Sequence, residues 1–209
     1  MKQAETPQAA AAGVAEHGNS AVLVTLAPDG GLLDRRRIDL TSGLPTHPYH
    51  HEGSWAVGRY ADSPWARPIS LTDAIALVER VHEAAAQGAR DGLAALAASV
   101  PVPITQIALR LCAALPPTIE QRIADTRAAN TADSVMYRQA LAMAAEARGW
   151  SVCWYDRARV FGDASVALGG ADVEAFLRAM GRSAGPPWQA THKLAAAAAL
   201  AIGAGRRPA

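Results

Sequence analysis

Residues 21–40, AVLVTLAPDGGLLDRRRIDL, decide the fold prediction because two strand-like runs flank a turn. The turn Pro28-Asp29-Gly30-Gly31 has the residues that close a β-hairpin. Successive side chains of a strand point to opposite faces, which places Arg35 and Arg37 on one face and Arg36 on the other. The second strand of this hairpin is therefore predicted to have a basic solvent side.

Helical and strand patterns alternate after the hairpin. Helices that connect parallel strands pack against the faces of the sheet, so this alternation predicts α/β architecture. Capping-box patterns at Ser70 and at Thr118 mark the starts of two long helices. The predicted helices cover 71–99, 119–148 with an irregularity at Asn130-Thr131, 172–180 and 188–204, and the predicted strands cover 104–112 and 151–155.

Length and composition favour one domain. The chain has 209 residues, 50% of them hydrophobic, and a formal net charge of +1, so no global basic field indicates a nucleic-acid partner. Residues 1–19 are predicted to be a flexible tail, and 20–209 a single domain. Two cysteines in apolar runs fit a reducing cytoplasm, and no apolar run approaches the roughly 20 residues needed to cross a membrane.

The segment 41–68 is rich in proline and glycine, shows no sustained period, and is predicted to be a functional loop with a short edge strand near 55–60. If it is extended, His50 and Glu52 point to one side and His51 to the other. Imidazole and carboxylate ligands suit zinc, manganese or iron, and His192 could complete such a site. A divalent metal is therefore one candidate cofactor. The other interpretation is a polar loop whose histidines satisfy backbone carbonyls.

Aromatic residues in the same loop indicate a different use. Tyr49, Trp55 and Tyr60 could stack on nucleobases while the arginines 35–37 contact phosphates. This pattern predicts a nucleic-acid-binding surface.

Two stretches carry a resemblance to a known family. They are ALAMAAEARGWSV at 140–152 and THKLAAAAAL at 191–200, and the order of segments from about 20 to 204 agrees with them. The chain resembles the ribonuclease H-like superfamily, and within it the Holliday-junction resolvases of the RuvC type. The resemblance implies an α/β fold with a ribonuclease H-like mixed sheet flanked by long helices.

The resemblance also implies two divalent metals held by carboxylates, which would clamp a phosphate. The first carboxylate belongs at the end of the first strand, where the predicted strand order places Ala27. The second position falls at Arg110, whose guanidinium would repel a metal. On the last helix His192 matches the family, but its partner position is Ala195. Asp29 and Asp156 are nearby acids that could substitute for the missing carboxylates, but Asp29 is explained as a turn residue and Asp156 could equally cap the next element.

These observations predict a cytoplasmic domain with a degenerate catalytic site that binds nucleic acid or protein. The alternative is a metal-dependent hydrolase or nuclease with a rearranged site built on His50, His51, Glu52 and His192. A third possibility is a structural subunit whose alanine-rich helices form a homodimer interface. Enzyme activity stays open at this stage, with binding preferred. The candidate nucleic-acid contacts are Arg35, Arg36, Arg37, Tyr49 and Trp55.

Overall fold

The computed structural model describes residues 9–203 and contains a five-stranded mixed sheet. The strand order across the sheet is β3-β2-β1-β4-β5. Strand β2 runs antiparallel to its neighbours, whereas β1, β4 and β5 are parallel to one another. The strands are β1 (Ala10–His17), β2 (Ser20–Leu26), β3 (Leu32–Asp39), β4 (Ile104–Arg110) and β5 (Ser151–Tyr155).

Helices cover both faces of this sheet. Two long helices pack on one face through a core that includes Leu23, Val81 and Leu141, and the C-terminal helices pack on the other. This arrangement confirms the predicted α/β class with a mixed sheet flanked by long helices. The helices are α1 (Ser54–Ala56), α2 (Leu71–Ser99), α3 (Ile119–Ala124), α4 (Thr126–Glu146), α5 (Val160–Ala167), α6 (Val173–Ala184) and α7 (Ala190–Gly203).

Strand β1 is the main departure from the sequence prediction. Residues Ala10–His17 lie in the centre of the sheet, paired with β2 on one side and β4 on the other. The predicted flexible tail is therefore wrong for these residues, and residues 1–8 lie outside the described part of the chain. Strand β1 also separates β2 from β4, so these two strands are not neighbours in the sheet. Alanine has a low strand propensity, so the strand conformation of this alanine-rich segment is determined by its packing between two helical layers.

Small residues allow α7 to lie very close to β1. A Cβ at Gly13 would overlap the carbonyl oxygen of Ala195, so only glycine fits there. Residues Ala195–Ala199 are fully buried against the sheet. The alanine-rich face of this helix is thus used inside the chain and is not available as a dimer interface.

The helix ends follow the capping patterns in the sequence. The Ser70 hydroxyl accepts the N–H of Asp73, and Thr118 and Gln121 form a complete capping box. The predicted second helix is divided, but the break falls at Asp125, whose side chain caps α4, and not at Asn130-Thr131. Within residues 9–203, none of the helices combines the length and apolar character that spanning a membrane requires.

Candidate functional site

The carboxyl end of β1 opens into a cleft of about 840 Å³ beside the N-terminus of α7. Gly18, at φ 56°, makes the tight turn from β1 to β2, and Asn19 donates to the Thr41 carbonyl, 3.2 Å away. This bond joins the turn to the loop that follows β3. We call this space the basic cleft, because its lining includes His17, Arg35, Arg36, Arg37, His47 and His192.

The three arginines of β3 reach the basic cleft with different partners. Arg35 donates to the carbonyl oxygens of Gly185 and Pro187, each 2.6 Å away, and so fixes the segment that leads into α7. Arg36 forms a bidentate pair with Asp34, with Nη2 2.6 Å from Oδ2, and its guanidinium also donates to the Ser99 hydroxyl at the end of α2, on the other face of the sheet. Arg37 lies 3.2 Å from Asp39, and both side chains are about two-thirds exposed. Of the three, Arg37 is the most accessible to a ligand.

His192 is positioned by the start of α7. Its Nδ1 accepts the backbone N–H of Gln189 at 3.2 Å, and its ring stacks on Trp188 at an interplanar angle of 29°. The imidazole therefore faces the basic cleft from the helix, opposite the arginines of β3.

The lining of the basic cleft includes basic residues and, among the described residues, no aspartate or glutamate, and two of its arginines, Arg36 and Arg37, pair with aspartates of the same strand. Burial lowers the pKa of both His47 and His192, and neighbouring histidines or Arg35 lower it further. Both imidazoles are consequently mostly neutral at pH 7 and gain charge on acidification. An anion is the ligand that such a lining can stabilise.

The histidine loop is helical and not extended. Residues Tyr49–Gly53 form a π-helical turn that runs directly into α1, so the predicted edge strand near 55–60 is wrong. Asp133 on α4 anchors this turn by accepting the N–H groups of Tyr49 and His50, at 3.0 and 3.1 Å. Burial raises the pKa of Asp133 to about 7, against the lowering effect of these two donors.

Replacing Asp133 with alanine is expected to lower the free energy of unfolding by about 2–4 kcal/mol. Two backbone N–H groups would lose their acceptor in a partly or fully buried place, and each unsatisfied donor costs about 1–3 kcal/mol. Chemical denaturation provides the measurement. Asp62→Ala is the control, because Asp62 is exposed. Equal stability of the two variants would show that Asp133 does not anchor the loop.

The predicted contact residue Tyr49 is fully buried, which makes it unavailable for stacking on a base. Its hydroxyl lies 3.2 Å from Nε2 of His82 and within 3.4 Å of Arg122. The helical turn directs this ring into the core, whereas an extended loop would have left it free. This prediction was wrong.

The other candidate residues of the loop make separate contacts and line different spaces. His50 pairs with Asn130 at 2.8 Å, while His51 stacks on Trp55 at an interplanar angle of 12°. His51, Glu52 and Trp55 line a groove of about 920 Å³, and His192 belongs to the basic cleft instead. Across residues 9–203, no three His, Cys, Asp or Glu side chains are grouped so that they could hold a metal ion. The structure thus does not bring the four candidate ligands to one point.

The end of the first strand carries a carboxylate that the sequence prediction missed. Because β1 is the first strand, its end is Glu16-His17 before Gly18, and the assignment of this position to Ala27 is wrong. The Glu16 side chain is 4% exposed and lies 2.8 Å from Arg110 and 2.7 Å from Arg138. Arg138 also donates to the Leu111 carbonyl. Glu16 is therefore held in an ion triad with a buried arginine, Arg138, and a partly exposed one, Arg110.

Two structures of RuvC are among the solved structures to which this chain is similar. The chain is similar to RuvC of T. thermophilus in complex with a Holliday junction substrate, with a TM-score of 0.47 and 15% identity over 93% of this chain and 92% of that one. A second structure of Thermus thermophilus RuvC has a TM-score of 0.46 and 15% identity, and 92% of each chain is covered. No protein-family model matches the chain. No curated protein matches it either.

Several residues of the site escaped the sequence prediction. Glu16 and His17 fell in the supposed tail, and Asp133 and Arg138 lie in the helix without a motif. The sequence does carry one signal for Asp133 and Arg138. Both lie on the buried face of α4, next to apolar residues such as Val135. A charged residue on the buried face of a helix requires a partner, which indicates a structural or functional contact.

Proposed function

We propose that this protein binds nucleic acid through its phosphate backbone, with the basic cleft as the contact surface. The observation that carries the proposal is the lining of the cleft, which brings six basic side chains together without a carboxylate among the described residues. Phosphate contacts supply most of the affinity in sequence-independent nucleic-acid binding. The cleft thus concentrates basic groups in a chain whose net charge is near zero.

The elements around the cleft support this role because they hold the basic groups from three directions. Strand β3 supplies Arg37, the end of β1 supplies His17, and α7 supplies His192. Arg35 ties β3 to the segment before α7 through three carbonyl oxygens. A preorganised cleft loses less conformational entropy on binding than mobile basic side chains would.

The ion triad around Glu16 favours nucleic-acid binding over nucleic-acid cleavage. The Glu16 carboxylate is already paired with two guanidinium groups, whose positive charges repel a divalent cation at the same place. We therefore propose a binding module and not a metal-dependent nuclease.

The experiment is a fluorescence anisotropy titration of labelled DNA at several salt concentrations. Duplex, single-stranded and four-way-junction probes are compared under identical conditions. We expect the logarithm of the association constant to fall linearly with the logarithm of the salt concentration, with a slope of about −0.7 to −0.9 per phosphate contacted. Binding that does not depend on salt, or no binding to any probe, would contradict the proposal.

Nucleic-acid affinity is expected to increase when the pH falls from about 7.5 to about 5.5. Burial lowers the pKa of His47 and of His192 below the ordinary value, so both imidazoles gain charge as the pH falls, and a bound phosphate favours the charged form. The gain should be about 2- to 5-fold per histidine, as for a solvent-accessible ion pair. The same titration in the double variant His47→Gln/His192→Gln should lose most of the gain. An unchanged pH profile in that variant would exclude these histidines.

A further inference from the structure

The basic cleft continues into a second groove that has a different chemistry. Both spaces are lined by Thr46 and His47, so these two residues form their common rim. Beyond the rim, the groove is lined mainly by rings and apolar groups, and we call it the aromatic groove. Its other lining residues are Pro45, His51, Glu52, Trp55, Trp65, Arg67, Pro68 and Ile69.

The rings of the aromatic groove form a connected cluster. The centroids of Trp55 and Trp65 are 6.0 Å apart, and His51 lies 6.1 Å from Trp55 and 6.3 Å from Trp65. Tyr60 extends the cluster, with its ring 5.7 Å from Trp65. Trp65 and Tyr60 are 52% and 44% exposed, which is unusual for such large apolar side chains.

The backbone presents Tyr60 at an energetic cost. Tyr60 has φ 58° and is the non-glycine residue with positive φ within the described chain. Such a conformation costs of the order of 1–3 kcal/mol and is concentrated at functional positions. This backbone conformation places the Tyr60 ring at the edge of an already exposed aromatic surface.

Two polar atoms of the aromatic groove lack partners within residues 9–203. They are Oε2 of Glu52, an acceptor, and Nε1 of Trp55, a donor. Both atoms are buried, so a base that stacks on the exposed rings contacts them only after a local rearrangement of the groove.

We infer that the aromatic groove receives unpaired bases of a strand whose phosphates lie in the basic cleft, so that the protein prefers single-stranded nucleic acid to duplex. This inference rests on the proposed function. Single-strand binding proteins combine a positive groove that follows the backbone with aromatic rings on which bases stack. In a duplex the bases are already stacked inside the helix, and the exposed rings of Trp65 and Tyr60 could not reach their faces.

The test compares two labelled probes, a short oligothymidylate and a mixed-sequence duplex of the same length, by anisotropy. We expect the oligothymidylate to bind the wild-type protein more tightly. Trp65→Ala should weaken oligothymidylate binding by about 5-fold or more, since stacking on one base is worth this much or more, and leave duplex binding within about 2-fold. Trp65→Phe keeps a ring and should restore most of the affinity.

The matched control is Trp154→Ala, because Trp154 is 43% exposed on β5 and does not line the aromatic groove. Thermal denaturation checks that each variant is folded. If the protein binds duplex as tightly as oligothymidylate, and Trp65→Ala behaves like Trp154→Ala, the inference fails while the proposed function stands. If wild-type protein binds neither probe, both fail.

Discussion

Replacing Glu16 with alanine is expected to lower the free energy of unfolding by about 3–5 kcal/mol. Removing one member of a buried ion pair leaves its partner charged and desolvated, and here Arg138 is 5% exposed on its side chain. The melting temperature should fall by roughly 6–20 °C in a chain of this size. Thermal and urea denaturation, followed by circular dichroism, provide the measurement.

Glu83→Ala is the matched control for this substitution, since Glu83 is an exposed residue in the middle of α2. Glu16→Gln should fall between the control and Glu16→Ala, because the amide keeps the shape and an acceptor but loses the charge. If Glu16→Ala is as stable as Glu83→Ala, the triad contributes nothing to stability.

Introducing negative charge into the basic cleft is expected to weaken nucleic-acid binding by about tenfold or more. The double variant Arg37→Glu/Gln189→Glu places two carboxylates where the described lining has none. Each lost phosphate contact should also reduce the steepness of the salt dependence by about 1. Titrations of the same duplex and oligothymidylate at several salt concentrations measure both effects.

The control for this variant is Arg80→Glu/Gln87→Glu, which changes the net charge of the protein equally. Both positions are exposed on α2 and do not line the cleft. Comparable losses in the two variants would mean that overall charge, and not the cleft, determines binding.

Most of the fold could be predicted because several elements carry local signals. The turn at Pro28–Gly31 fixes the β2–β3 hairpin, and the cap at Ser70 fixes the start of α2. Strand β1 carries no such signal. Its alanines and Gly13 suit the close approach of α7, which is a tertiary effect that no sequence window contains.

The candidate site was less predictable for related reasons. Strand alternation correctly separates Arg36 from its neighbours, but it cannot show that Arg35 is bound to carbonyl oxygens about 150 residues away. The segment 49–53 was predicted to be part of an irregular loop, because the prolines around it give no sign of a helical turn. That turn is anchored by Asp133, which lies in a helix 84 residues after Tyr49. Misplacing the first strand then moved the expected carboxylate from Glu16 to Ala27.

Hydrogen–deuterium exchange with and without oligothymidylate tests the central claim most directly, because it locates the bound strand on the chain. We expect slower exchange, on adding the oligonucleotide, at the β1–β2 turn around 17–20, at 46–47 and at 187–192, which together surround the basic cleft. Segments distant from the cleft, such as the middle of α2, should exchange unchanged. Protection confined to other surfaces, with the basic cleft unaffected, would contradict the assignment of the cleft as the nucleic-acid-binding surface.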